Sequence, residues 1–200
     1  MARPRTHDER LRTRLLDEAG RLLAEEGPAA LTVRRLAERA GTSAAAVYSL
    51  FGDKWGLVEE MFREGFARFA ERIAAQPPTS DPLADLVALG HAFRLNARAN
   101  PHLYDLMFSR PFPEFQPSEA DQAVALDTFQ ALVERVRRCL DAGLLSGDAN
   151  GLAAILFAQV HGLTSLELNG GLGPAEHADA IWDRSMTAML QGLRGAATKG

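Results

Sequence analysis

His91, His102, Asp105 and His161 are residue types that could in principle gather a metal ion in this 200-residue chain. Their spacing argues against it, because no HxxxH or CxxC pair places two ligands together. A satisfied buried hydrogen bond is the expected role of His161. Cys139, the only cysteine, acts as a redox thiol only if it is acidic and exposed. Its neighbours Arg137 and Arg138 are adjacent in sequence and do not share its helix face. A buried, inert thiol is therefore expected. No Ser-His-Asp elbow, phosphate loop or dinucleotide fingerprint is present. Neither catalysis nor a cofactor or bound metal is expected. Charge is the stronger signal. Residues 1–54 carry 10 Lys+Arg and 8 Asp+Glu, whereas residues 55–200 carry 12 and 18. Half of the N-terminal cations are Arg3, Arg5, Arg10, Arg12 and Arg14. That asymmetry suits a small cationic module joined to a larger acidic one, although a solvated charged terminus has the same composition.

The elements that must position these groups are helical. Ala and Leu number 34 and 28, against 3 Ile and 8 Val, and the first pair favours helix where the second favours strand. The longest unbroken apolar run, Leu152 to Ala158, has 7 residues. A spanning helix needs about 20, so no membrane segment is expected. The Arg-rich start lacks a secretory apolar core, and a lone cysteine fits a reducing cytoplasm, the expected location.

Gly and Pro punctuate about nine helices. The first, with Thr6 and Glu9 as a capping box, carries Leu11, Leu15, Ala19, Leu22 and Leu23 at helical spacing and stops at Gly27-Pro28. Thr32 caps a helix from Val33 to Ala40. Ser43 or Thr42 caps another to Phe51. A long helix follows from Lys54 to about Ala75. Residues 76–82 read as a linker, and residues 110–117 as a mobile or lid-like loop. Further helices run over 82–99, 101–109, 118–142, 148–168 and 174–193. The expected architecture is all-α, with an N-terminal three-helix helix-turn-helix domain over 1–54 and a C-terminal helical ligand-binding and dimerisation domain over 55–200.

Two short helices joined by Ala40-Gly41-Thr42-Ser43 have the form of a DNA-binding helix-turn-helix. Gly41 supplies the left-handed turn. Leu36, Ala37, Ala40, Val47 and Phe51 supply buried faces. An ordinary helical hairpin has the same outline.

The stretch from Leu31 to Leu57 resembles the N-terminal domain of the TetR family of transcriptional regulators. The matching residues are Thr32, Leu36-Ala37, Ala40-Gly41, Ser43, Val47-Tyr48, Phe51, Lys54 and Leu57. Leu50 departs from the family pattern, which often has a polar residue there. The resemblance implies a homodimer on a palindromic double-stranded DNA operator. It implies phosphate contacts from Thr32, Tyr48 and Lys54, and a groove-facing edge of Ser43, Ala44, Ala45, Ala46 and Ser49. Alanines offer only close approach or contact with thymine methyls. Arg34 is the residue able to grip guanine, with a phosphate contact as its alternative, and Arg35 is a second candidate, better suited to solvent or phosphate. The segment from Arg3 to Arg14 is expected to reach the minor groove or adjacent phosphates.

Phe157 to Leu168, with His161-Gly162, resembles the WHG-type C-terminal domain of the same family, Phe157 standing where Trp is typical. Residues 100–108 resemble its short sixth helix. The resemblance implies a ligand-responsive domain but no particular ligand; the walls of the expected pocket suggest a small hydrophobic effector, not otherwise identified. The expected pocket is lined by Phe66, Phe69, His91, Leu95, Tyr104, Phe108, Phe129 and His161. The expected dimer interface uses Phe157, Ile181, Trp182, Met186 and Met189 on the last two helices, paired across a two-fold axis.

Overall fold

Every regular element in the computed structural model, which describes residues 5–194 and side chains from Asp8 onward, is a helix. The order is α1 (Arg5–Glu26), a single 3-10 turn (Pro28–Ala30), α2 (Val33–Arg39), α3 (Ala44–Phe51), α4 (Lys54–Ala74), α5 (Pro82–Ala99), α6 (Pro101–Phe108), α7 (Glu119–Asp141), α8 (Ala149–Leu168) and α9 (Ala175–Gly192). Arg3 lies outside the described residues. Because α1 already begins at Arg5, Thr6 lies within the helix rather than at its cap, and Arg10, Arg12 and Arg14 lie on α1. Arg12 is ion-paired to Glu60 of α4.

Two units divide the described residues. The first takes the chain through Ala67 together with Asn100–Val124. Its core is built on Leu15, Leu22, Leu31, Leu36, Val47, Leu57, Val58 and Met61, all fully buried. In it α1 packs on α2, α3 and α6. The expected boundary at residue 54 is not a boundary of packing. Asp53 starts α4, its Oδ1 accepting from the amides of Trp55 (2.8 Å) and Gly56 (2.9 Å), and α4 runs on without interruption. The helix α6, expected with the C-terminal domain, joins the first unit because α1 is cut away at Gly20. A Cβ there would stand 2.2 Å from Cδ2 of His102, a distance no packed side chain tolerates.

The second unit takes Arg68–Ala99 and the chain from Ala125 onward. Its core joins Leu86 of α5, Val133, Val136 and Cys139 of α7, Leu152, Ala153 and Leu156 of α8 and Leu190 of α9. Burial pushes the Cys139 thiol up to about 11, so it is protonated at neutral pH. Residues 76–82 are no free linker. Asp85 accepts from the amide (2.9 Å) and hydroxyl (2.8 Å) of Thr79. Arg138 bonds both Asp85 and the Thr79 carbonyl, and Arg135 donates to the Gln76 carbonyl. Backbone groups of the segment are thus tied to α5 and α7. The expectation from apolar runs also missed a property of α8. By length and composition it is apolar enough to cross a membrane, and only part of it is buried. Apolar Ala154, Ile155, Ala158 and Leu166 of α8 are exposed.

Candidate nucleic-acid interface

Both helices of the helix-turn-helix begin on a side-chain cap. The Thr32 hydroxyl accepts from the Arg35 amide at 3.3 Å, and the Ser43 hydroxyl from the Ala46 amide at 3.2 Å. Between them α2 ends in a Schellman turn. Gly41 has φ 62°, its amide donates to the Glu38 carbonyl, and the Thr42 amide donates to the Ala37 carbonyl at 2.9 Å. The pair is fixed from inside by Leu36, Ala37, Ala40, Val47 and Phe51, all buried. The opposite face of α3 is left outside. Ala45, Tyr48 and Ser49 are exposed, with Ala44 and Ala46 half-buried. Tyr48 is 53% exposed, which places its hydroxyl in solvent rather than in the core.

The cations around this face are matched by carboxylates. Arg34 Nε meets Glu38 Oε1 at 3.1 Å. Arg35 is paired with Glu26. Arg39 reaches Glu25 at 2.7 Å and Glu18 at 3.4 Å on α1, and its hydrogen bond holds the Glu25 carboxyl below the usual range. The Arg34–Glu38 pair is fully in solvent and worth little, so Arg34 can exchange Glu38 for a base edge or phosphate. Lys54, half-buried at the start of α4, has its ammonium over the rings of Trp55 (5.4 Å) and Phe112 (5.0 Å). Sequence reasoning missed three contributors here. One is Asp53, although Asp before a helix is a capping signal. The Arg39–Glu25 clasp and Phe112 come from distant segments and leave no local signal.

The residues expected to line one pocket fall in different units. Phe66, Tyr104 and Phe108 belong to the first, with Phe66–Phe108 at 6.0 Å and Tyr104–Phe108 at 5.2 Å. Burial raises the Tyr104 hydroxyl, so it stays protonated. Phe69, Phe129 and His161 belong to the second, where Phe93 and Phe157 link them. Phe69–Phe93 is 5.3 Å, Phe93–Phe157 5.9 Å, Phe129–Phe157 6.3 Å and Phe157–His161 5.7 Å. Burial lowers the His161 pKa, which favours neutral imidazole. His91 stands apart from that chain of rings and stacks on Trp182 at 6.4 Å. Leu95 does not line a cavity. It is 50% exposed, because α5 presents Leu89, Ala92, Phe93 and Asn96 inward instead.

The expected interface residues also divide. Trp182 (0% exposed) and Met186 (5%) lie in the core of the chain itself. Trp182 Nε1 donates to Glu167 Oε2 at 2.9 Å, beneath the Arg94 guanidinium at 5.0 Å. Phe157 turns toward Phe93 and Phe129, while Ile181 and Met189 stay half-buried. Spacings of three and four along α9 marked the stripe that packs inward. Pattern alone does not tell a core stripe from an interface stripe.

Two family models cover most of the chain. Residues 15–61 match bacterial regulatory proteins of the tetR family, and residues 86–189 match the Tetracyclin repressor-like C-terminal domain. The chain belongs to the TetR family. Its helix-turn-helix is the DNA-binding element of a transcriptional regulator. The HTH-type transcriptional repressor AcnR of Corynebacterium diphtheriae is 32% identical over 137 residues, 68% of this chain and 69% of that one. A protein of unknown function from Rhodococcus sp. RHA1 superposes with TM-score 0.77 at 27% identity, covering 92% of this chain and 96% of that one. The TetR-family regulator PfmR of Thermus thermophilus shares the fold at TM-score 0.77 and 20% identity, over 91% of this chain and 100% of that one. The TetR match extends past residue 54 into α4, in keeping with the uninterrupted helix found there.

Proposed function

We propose that this TetR-family chain is a repressor that binds a palindromic operator as a homodimer and is released by a small apolar effector. The observation that carries the reading is the capped, internally packed helix-turn-helix whose α3 leaves Ala45, Tyr48 and Ser49 in solvent. Thr32, Tyr48 and Lys54 are the proposed phosphate contacts, which set affinity and register. Ser43, Ala44, Ala45 and Ser49 line the base edge, and Arg34 is the proposed guanine reader. With alanines at the groove, much of the specificity falls to operator shape and half-site spacing. Repression is the activity named for the AcnR relative.

The homodimer reading is supported by α8. Ile155 (47% exposed) and Leu166 (53%) stand on an apolar helix with small Ala158 and Gly162 between them. A second copy of the same stripe covers it most economically. The effector reading rests on the ring chain of Phe69, Phe93, Phe129 and Phe157, with neutral His161 as its polar member. Phe69 and Lys54 share α4, so one element joins effector response to DNA contact. Selection of purified protein against a random duplex library tests the reading. A two-fold symmetric consensus is expected. Equal affinity for all sequences would reduce the chain to a helical binding module without operator recognition.

A further inference from the structure

The aromatic seat of Lys54 is built from two parts of the chain. Trp55 is its neighbour, whereas Phe112 belongs to the segment between α6 and α7. The two rings meet edge to face, centroids 6.1 Å apart at 90°. Phe112 is 4% exposed and Trp55 40%. Other contacts fasten the segment carrying Phe112. Phe115 packs on Phe62 at 5.8 Å, and buried Asp121 holds Arg63 of α4 at 2.6 Å. Arg110, just before Phe112, is the one non-glycine residue with positive φ (49°) among the described residues. A side chain is kept there only where its surroundings over-determine the backbone.

Ring faces attract an ammonium but take little of its hydrogen-bonding capacity. The three N–H donors of Lys54 remain available for an acceptor. A free lysine loses much rotamer entropy when it is fixed on a phosphate, and one already confined between two rings loses less. We infer that Phe112 and Trp55 are positioning residues for DNA binding, holding Lys54 ready for a backbone phosphate. The α6–α7 segment thereby sets the affinity of the reading head. This rests on Lys54 being a phosphate contact, as proposed above.

The test uses the full-length protein and a fluorescein-labelled duplex of mixed sequence, titrated by anisotropy over a range of salt. Lys54→Ala should lower the salt slope by about one unit per head. Phe112→Leu keeps apolar bulk but removes the ring, and should weaken binding by about two- to fivefold. Trp55→Leu, at a position 40% exposed, should act in the same direction, and Trp55→Phe should restore binding. In a Lys54→Ala background neither ring substitution should have any further effect. Proton spectra give a reading independent of DNA. The Lys54 Hε resonances should lie upfield by ring current and return downfield in Phe112→Leu. Absent upfield shifts overturn the seat itself. An unchanged salt slope for Lys54→Ala overturns the phosphate contact. Equal losses from Phe112→Leu with and without Lys54, or tighter binding in Phe112→Leu, overturn positioning.

Discussion

Arg94 of α5 and Glu167 of α8 meet through two charge-assisted hydrogen bonds, Nε to Oε2 and Nη2 to Oε1, each 2.7 Å. The arginine side chain is 8% exposed and the glutamate 12%. Asp179 of α9 shares the same guanidinium at 2.6 Å, and the Trp182 indole closes on Glu167 from the other side. The hydrogen bond from Arg94 holds the Glu167 carboxyl below the usual range. One guanidinium, paired with two carboxylates, therefore ties α5, α8 and α9 together.

Breaking one side of that pair leaves a largely buried charge only partly compensated, Arg94 by Asp179 and Glu167 by Arg98 at 3.6 Å. Glu167→Gln is expected to destabilise the chain by at most about 3 kcal/mol, because Arg94 keeps Asp179. Arg94→Met should cost a similar amount, and the double substitution less than the sum of the two. Urea denaturation of the four proteins measures it. Strict additivity would show that the pair is not a unit.

Acid should weaken the contact between residues 76–81 and α5. Burial by itself would raise the Asp85 carboxyl. The Thr79 hydroxyl and amide and the Arg138 guanidinium outweigh it and hold the carboxyl at about 2, against an ordinary 3.8. A pKa lowered in the folded state contributes stability above the unfolded value and loses it as pH falls through the folded one. The stability gap between the parent and Asp85→Asn should be level from pH 7 to about 5 and close between about 4 and 2. A gap that persists unchanged to pH 2 would assign the effect to packing.

Arg34 and Glu38 should have opposite effects on DNA binding. Arg34→Ala is expected to relax preference at one symmetric base pair in each half-site, by about 1–3 kcal/mol. Glu38→Gln removes the carboxylate 3.1 Å from the Arg34 guanidinium and should tighten binding to all sequences alike. Competition binding with operators changed at single positions checks both. Uniform weakening by Arg34→Ala would move that residue to the phosphate backbone.

Charge at the α8 surface should separate subunits, while charge in α9 should unfold them. Ile155→Glu and Leu166→Glu alter exposed positions and are expected to give folded monomers, because an apolar interface cannot bury an unpaired ion. Met186→Glu places charge in the subunit core and should lower the melting temperature sharply. Light scattering and thermal melts measure the two outcomes. Unchanged dimers from both α8 variants would place the interface elsewhere.

Much of this architecture is written locally. Thr32, Gly41 and Ser43 define the helix-turn-helix because a cap and a left-handed turn are decided within a few residues. Residue composition excludes strand-rich folds for the same local reason. Which face of a helix meets which neighbour is not local. The spacing of Ile181, Trp182, Met186 and Met189 marks an apolar stripe on α9, but only packing against Arg94 and Glu167 turns Trp182 inward. Leu95 and Phe93 are equally apolar, and rotation of α5 alone decides that one is exposed and the other buried. The missing Cβ at Gly20 seats α6 on α1 through His102, far along the chain. Phe112 reaches Lys54 in the same way. Secondary structure follows from neighbours in sequence, whereas contacts between segments follow from shape and charge complementarity that no single segment contains.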